Sequence, residues 1–352
     1  MVNSSKKIDI FVPGRLCLFG EHSDWAGQMQ KYNKSILPGR ALVICTKEGI
    51  YATAKISDKI KMRTAIPSGK VLTFNAELNI NELGNIARSN SFFSYVAGVS
   101  KCLLEKYDIG GIEINCYKMT LPIKKGLASS AAICTLTVRA FNQIYGLNLS
   151  IEQEMEIAYL GENETESKCG RLDQACGLGS GIVDMTFSGD KVTVSKLNSK
   201  IPLHLVFADL NGIKNTVEIL KDLNAAYPYP KTVEHDRVHY LFGKLNLEIV
   251  QAAVCAIKSG NSKMLGNLMA KAQNNFDLLA QPISPKELKS EKLQSLLVDK
   301  QISKFIFGGK GVGSQGEGSV QFIAKCKNSQ LKLVSYLKNH LKLECFPLSI
   351  DG

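Results

Sequence analysis

The stretch from Met119 to Ala132, Met-Thr-Leu-Pro-Ile-Lys-Lys-Gly-Leu-Ala-Ser-Ser-Ala-Ala, constrains this chain more than any other. Gly111–Lys118 before it alternates like a strand, and 128–145 after it carries a helical pattern. A strand that delivers a proline-initiated, glycine-bearing loop into a helix N-terminus builds a seat for phosphate. Gly126 lets the backbone approach an anion closely. The unpaired N–H groups of a helix beginning near Ala128 point at that anion, and the helix dipole favours its charge. Ser129 and Ser130 either cap the helix or ligate a metal riding on the phosphates. Lys124 and Lys125 are positioned to meet phosphate or to sit in solvent. An ordinary capped helix uses the same residue types, so the stretch takes its meaning from three others.

The first is Pro13-Gly14-Arg15-Leu-Cys-Leu-Phe-Gly20-Glu21-His22-Ser23-Asp24-Trp25, where charges of both signs follow a buried strand within ten residues. Charges so close to a core are paired or used. Glu21, His22 and Asp24 offer acceptors and a donor to a polyhydroxylated ligand, and Arg15 a fixed positive charge; local ion pairing is the structural alternative. The second spans 158–176, where Glu162 ends an apolar helix and Asp173 lies eleven residues further on. One such carboxylate can hold Mg²⁺ while the other accepts a proton from an attacking hydroxyl. The third is Phe307-Gly-Gly-Lys-Gly-Val-Gly-Ser-Gln-Gly-Glu-Gly318, glycine-rich enough to expose backbone amides as an anion nest. It matches neither a P-loop nor a dinucleotide-binding fingerprint.

Composition removes several function classes. The chain has 352 residues, enough for two lobes. No uninterrupted apolar run approaches the ~20 residues of a membrane span, and no signal-peptide core precedes the first strand, so a cytoplasmic protein without a membrane partner is expected. Ten cysteines are scattered without a Cys-x-x-Cys pair, which reads as buried free thiols in a reducing compartment. The net charge of +11 is spread over many segments and forms no single basic stripe. A nucleic-acid partner is therefore not expected, and a mildly basic surface that attracts anionic nucleotides explains the charge.

Along the chain, Ile8–Val12 reads as a short strand ending at Pro13-Gly14, and 15–40 as an irregular working loop. Ala41–Lys47 and Ile50–Ser57 read as two strands joined by a Glu48-Gly49 turn. Helices are expected at 91–107, 128–145 and 151–166, and strands near 182–187, 191–197 and 203–208 with a Gly189-Asp190 turn. Helical segments follow at about 215–225, 232–258, 261–280 and 286–298. Strands at Lys304–Phe307 and Ser319–Ala324 flank the glycine-rich loop, and a helix near 328–340 and a strand near 343–348 close the chain. A lobe boundary falls around 195–215.

Taken together and in this order, these stretches resemble the GHMP kinases, the superfamily of galactokinase, homoserine kinase, mevalonate kinase and phosphomevalonate kinase. Pro122–Ala131 carries the most specific likeness. Gly-Glu-His-Ser-Asp-Trp at 20–25 and Cys-Gly-Arg-Leu-Asp-Gln at 169–174 resemble the galactokinase branch, with the mevalonate kinase branch second. The resemblance implies an α+β, two-lobed fold: a ribosomal S5 domain 2-like lobe over 1–205 with the phosphate loop, and a ferredoxin-like lobe over 206–352 with the glycine-rich loop. It implies an ATP-dependent kinase acting on a hydroxyl of a monosaccharide or sugar derivative, the anomeric hydroxyl above others; the alternatives are a mevalonate kinase-like alcohol kinase and a catalytically silent sugar-binding regulatory relative. ATP would lie on Pro122, Lys124, Lys125, Gly126, Leu127, Ala128, Ser129, Ser130 and Ala131, with Gly311 and Gly313 closing from the other lobe. Ser130 and Glu162 would ligate Mg²⁺. Glu21, His22 and Asp24 would bind sugar hydroxyls, and Asp173 would be the base, kept ionised by Arg15. Cys17, the long loop after Trp25 and the glycine-rich run depart from the galactokinase pattern, so a related sugar, amino sugar or uronic acid is as well supported as galactose.

Overall fold

The computed structural model of the chain describes residues 6–65, 70–89, 91–121, 127–167, 169–212 and 214–350. In chain order its strands are β1 (Lys7–Phe19), β2 (Gly39–Ser57), β3 (Ile60–Ala65), β4 (Val71–Ala76), β5 (Gly111–Met119), β6 (Gly181–Ser188), β7 (Lys191–Leu197), β8 (Leu203–Asp209), β9 (Ile306–Gly311), β10 (Ser319–Ala324) and β11 (Cys345–Ile350). The helices are α1 (Ser23–Gln28), α2 (Ile80–Ala87), α3 (Ser94–Lys106), α4 (Ser129–Tyr145), α5 (Ile151–Asn163), α6 (Thr216–Asn224), α7 (Val233–Tyr240), α8 (Asn246–Ser259), α9 (Ser262–Leu279), α10 (Pro285–Leu288), α11 (Glu291–Leu297) and α12 (Lys327–Asn339). Two compact units share them. The first holds the chain up to Arg15 together with Cys45–Ser180; the second holds Leu16–Ile44 and everything from Gly181. Where the sequence reading drew a boundary at 205/206, compactness divides the chain at Ser180/Gly181 and again within β1 and β2.

In the first unit, β4, β3, β5 and the second half of β2 are hydrogen-bonded in that order, and β5 runs parallel to β3. Neither expected break in the first strands is present. β1 continues through Pro13-Gly14, and β2 is one strand with no turn at Glu48-Gly49. Glycine serves packing at both places: a Cβ at Gly49 would strike Phe11 and Val12 of β1, and one at Gly14 would strike the Leu121 side chain. The helices follow their sequence signals more closely. Ser150 and Gln153 form a reciprocal capping box at the start of α5. Helix α2, not read from the sequence, is capped by Asn79, whose side chain accepts from the N–H groups of Asn81 and Glu82. Helices α3 and α5 touch backbone to backbone, since a Cβ at Gly98 would strike the Gly161 carbonyl and one at Gly161 would strike Val99. That approach sets the height of Glu162, the next residue.

In the second unit, β11, β8, β10 and β9 form an antiparallel sheet in that order. Val206, Ala208, Val320 and Phe322, at alternate positions of their strands, pack with Leu293 and Leu296 of α11 and Leu333 and Leu337 of α12. A second apolar cluster joins Ala26 of α1 to Ile219, Leu223, Val238, Phe242 and Phe276. The stretch 15–40, expected to be irregular, holds the end of β1, all of α1 and a 3₁₀ turn at Met29–Lys31. A π-turn at Leu241–Leu245 links α7 to α8, so Val233–Ser259 is one helical run long and apolar enough to cross a membrane by composition. Half of its most apolar window is packed inside the unit, as a core helix requires. All ten cysteines are free thiols, and Cys17, Cys45, Cys116, Cys134, Cys176 and Cys345 are buried.

Candidate functional site

In the first unit, β5 leads toward the phosphate loop, of which Pro122, Lys124, Lys125 and Gly126 lie outside the described residues. The chain resumes at Leu127, buried, whose carbonyl accepts from the Arg15 N–H at 3.1 Å. This bond ties the end of the loop to β1. Helix α4 opens at Ser129, and its N-cap is Ala128 in the left-handed region (φ 53°). Neither serine is the cap residue, so the expected serine cap is absent. Alanine has no side-chain acceptor for the first-turn amides. A helix opened this way leaves its anion-seeking end to be satisfied from outside the cap.

Around that helix start lies a cavity of about 660 Å³. Ala128, Ser129 and Ser130 form one wall, Arg15 and Asp173 another, and Met62, Phe93, Tyr95 and Ile133 supply apolar surface. The size suits a small organic ligand. Arg15 of β1 and Asp173, at the first turn of a 3₁₀ helix over Asp173–Leu178, form an ion pair through Nη2 and Oδ1. The Arg15 side chain is 10% exposed and that of Asp173 25%.

Glu162, in the last turn of α5, is 1% exposed. The Gln174 amide donates to its Oε2 at 2.9 Å, and its carboxyl also bonds the Ser130 side chain. Burial, then the charge of Asp173, pushes its pKa up to about 7 against the pull of Ser130, Cys169 and Arg15. Cys169, between these groups, is pushed above the ordinary thiol value by burial and by Glu162 and Asp173, which leaves it no thiolate character. Arg15, Ser130, Glu162 and Asp173 thus meet in one unit. Gln174 and Tyr95, whose hydroxyl bonds Ser167, were not singled out from the sequence. The position of Gln174 directly after Asp173 was the available signal for it.

The second unit carries the Gly20–Trp25 motif. The Gly20 carbonyl accepts from both the N–H and the hydroxyl of Ser23, which bends the chain into α1. His22 is held at φ 70° and is 6% exposed. The indole N–H of Trp25 donates to His22 Nδ1 at 3.2 Å, so the neutral ring carries its proton on Nε2. That Nε2 is buried and has no hydrogen-bond partner. Burial, then the charges of Lys214 and Lys310, lowers the His22 pKa to about 3. Asp24 is 7% exposed, and Trp25 packs edge-on against Tyr227 and Phe242. Glu21 pairs with Lys310 Nζ, with the lysine side chain 3% exposed and the glutamate 9%.

Lys310 and Gln315 were missed because they sit in the run read as a glycine loop, and Lys214 because it lies 101 positions from Gln315, whose carbonyl it meets. Gly308–Gly311 is strand, not loop: it belongs to β9 and pairs with β10. Its glycines make room for neighbours, since a Cβ at Gly308 would strike Gly266 of α9. The Gly311 N–H is taken by Gln273 Oε1 at 2.7 Å, so of the two loop glycines expected to face ATP this one has no amide to give. Gly313, at φ 65° with open space around its Cα, keeps that capacity. The rest of the run meets Leu210 and Lys214: Leu210 N–H donates to the Gly318 carbonyl at 3.0 Å, and Lys214 Nζ to the Gln315 carbonyl at 2.6 Å.

Residues 94–181 match the family model of the GHMP kinases N terminal domain. A galactokinase from Pyrococcus furiosus is 32% identical over 172 residues, 48% of this chain and 43% of that protein. A galactokinase from Thermotoga neapolitana is 22% identical over 93% of this chain and 92% of its own. The mevalonate kinase structure from Methanococcus jannaschii superposes with a TM-score of 0.72 at 21% identity, covering 99% of this chain and 100% of that one. The Lactococcus lactis galactokinase structure, complexed with galactose, gives 0.72 at 18% identity, with 99% and 95% covered. At these identities the likeness to solved structures is one of fold. The chain thus matches the GHMP kinases N terminal domain over residues 94–181, is similar in sequence to galactokinases, and shares the mixed α and β fold of galactokinase and mevalonate kinase structures.

Proposed function

We propose that this GHMP-type kinase transfers the γ-phosphoryl group of ATP to a hydroxyl of a monosaccharide or sugar derivative. The observation that carries the reading is the Arg15–Asp173 ion pair on the wall of a cavity of about 660 Å³ that reaches the start of α4. In this reading the triphosphate takes the α4 N-terminus, where amides and dipole favour negative charge. Asp173 accepts the hydroxyl proton as the bond from sugar oxygen to phosphorus forms and the bond to the leaving ADP oxygen breaks. Arg15 orients Asp173 and neutralises charge on the equatorial oxygens. An anomeric hydroxyl is the most acidic on a free sugar, so a sugar 1-phosphate is the favoured product.

Ser130 and Glu162 fit a Mg²⁺ ion. Both are hard oxygen donors, and Glu162 is a deeply buried carboxylate whose ionised form a cation would favour. Among the described residues no three of His, Cys, Asp and Glu gather as a metal cage. Magnesium needs none, because it keeps waters and binds substrate phosphates alongside one or two protein oxygens. When bound, it would supply neutralisation of phosphate charge, and Ser130 and Glu162 would hold it.

Glu21, His22 and Asp24 are the proposed readers of sugar hydroxyls. The buried charge of Asp24 favours a polyhydroxylated substrate over mevalonate. Mevalonate kinase is the second reading, supported by a structural likeness equal to that with galactokinase. An ADP-release assay with Mg-ATP over monosaccharides, N-acetylated sugars, uronic acids and mevalonate tests both. Turnover of one sugar, with phosphorus NMR naming the esterified oxygen, is the expected result. Turnover of mevalonate alone overturns the sugar reading.

A further inference from the structure

Asp173 opens a 3₁₀ helix whose backbone bonds hold it loosely. Where the chain enters and leaves that helix the bonds are long: Asp173 N–H to the Gly170 carbonyl at 3.4 Å, Ala175 N–H to the Leu172 carbonyl at 3.2 Å, and Gly179 N–H to the Cys176 carbonyl at 3.4 Å. Arg15 meets the Asp173 carboxylate through one nitrogen and one oxygen. A single N···O contact fixes a distance and not a tilt, which only a two-point contact controls.

Two arginines supply what the backbone lacks, and both act through α5, the helix that carries Glu162. Arg139 of α4 holds the far end of the 3₁₀ helix. Its Nε and Nη2 donate to Glu154 Oε2 at 2.9 and 2.8 Å, and Nη2 also donates to the Gly177 carbonyl at 2.7 Å. Arg171, two residues before Asp173, holds the near end. Its two terminal nitrogens donate to the two carboxylate oxygens of Glu156, Nη2 to Oε1 at 3.0 Å. The same guanidinium lies over the Tyr159 ring, 4.3 Å from its centroid. Glu156 and Tyr159 are three positions apart on one face of α5, so fork and stack together fix the plane of the guanidinium. Arg171 is not on the cavity wall that Arg15 and Asp173 share.

We infer that Arg171 is a positioning residue: clamped to Glu156 and Tyr159, it sets where the Asp173 carboxylate meets the acceptor hydroxyl while touching no reactant. The inference rests on Asp173 being the base in the reading above. Glu156 is 42% exposed, so the ion pair adds little to overall stability, and its removal is expected to act on placement.

The test is a double-mutant cycle on ADP release, with Mg-ATP and whichever acceptor of the panel above is turned over. Arg171→Met is expected to lower kcat between about tenfold and a hundredfold, the range a misplaced reacting group costs, with KM for ATP within about twofold. Made in the Asp173→Asn background, the same change is expected to lower kcat by less than about twofold, because no base is left to place. Hydrogen exchange on the substrate-free protein should quicken across 170–178 in Arg171→Met and stay as it was in α4. If Arg171→Met fails to fold, Glu156→Gln cuts the same fork from the helix side and carries the measurements. An unmoved kcat in a folded variant, unchanged exchange across 170–178, or a loss repeated in full beside Asp173→Asn overturns the clamp and leaves the kinase reading standing. Full activity in Asp173→Asn itself removes the base, and both readings fall.

Discussion

Arg15 and Asp173 lie 158 positions apart in the sequence, yet they form an ion pair in the first unit with the arginine nearly buried and the aspartate partly open to the cavity. The arginine is held from behind by its own N–H on the Leu127 carbonyl, so the loop end, the cation and the carboxylate form one connected unit. A base held this way keeps its orientation without closing off its solvent side.

Replacing that base is the most direct check on chemistry. Asp173→Asn keeps shape and removes proton acceptance, so kcat is expected to fall by roughly two to four orders of magnitude. ATP affinity by calorimetry should stay within a few-fold. Survival of kcat in a folded variant would move the base elsewhere.

Glu162 makes a stability prediction with a definite sign. Its folded pKa is about 7 against an ordinary 4.5, so between those values the folded state holds more protons than the unfolded state. Metal-free wild-type protein should therefore lose stability as pH rises from about 4.5 to 7, by on the order of 2–3 kcal/mol from this group. Glu162→Gln should remove that decline in denaturant titrations. Added Mg-ATP should restore wild-type stability above pH 7 and do little for the variant.

His22 slopes the other way. Its folded pKa is lowered from 6.5 to about 3, so the unfolded state binds the extra proton below 6.5, and stability present at neutral pH is lost on acidification. The loss between pH 6.5 and 4 is on the order of 3 kcal/mol. His22→Asn, whose side chain tolerates the left-handed backbone, should flatten this acid limb. Because the two windows overlap with opposite signs, the quantity to read is wild type minus variant at each pH. A difference independent of pH would contradict the buried neutral ring.

The Glu21–Lys310 pair predicts strong non-additivity. Lys310→Met leaves the Glu21 carboxylate buried without its cation and should destabilise by roughly 3–5 kcal/mol. Adding Glu21→Met should recover most of that loss, since an apolar pair of similar volume has no charge to desolvate. Urea titration of the two singles and the double measures the coupling. Additive losses would mean that the ion pair is not the interaction that matters there.

Much of this protein is determined by sequence alone, wherever the signal is local. The Ser150 capping box, the Gly189-Asp190 turn, the alternation of β5 and the order of helices from 215 to 298 are set by neighbours a few positions apart, and the structure follows them. The family likeness of Pro122–Ala131 and Gly20–Trp25 is of the same kind, since it lies in contiguous residues. Tertiary packing decided the rest. Pro13-Gly14 and Glu48-Gly49 look like strand ends, but both glycines give room to a crossing neighbour inside continuous strands. The run from Gly308 looks like one loop, but its first part pairs with β10 and packs on α9 as a strand, and the remainder folds against Lys214. Glu162 and Asp173 became one electrostatic unit with Arg15 and Ser130 through the backbone contact of Gly98 with Gly161 and the bond from Arg15 to Leu127. Lys310 met Glu21, 289 positions away, because both are carried into one buried place. A carboxylate's partner, and with it its charge state and chemistry, depends on which distant residue arrives beside it, and that is known only once the chain has packed.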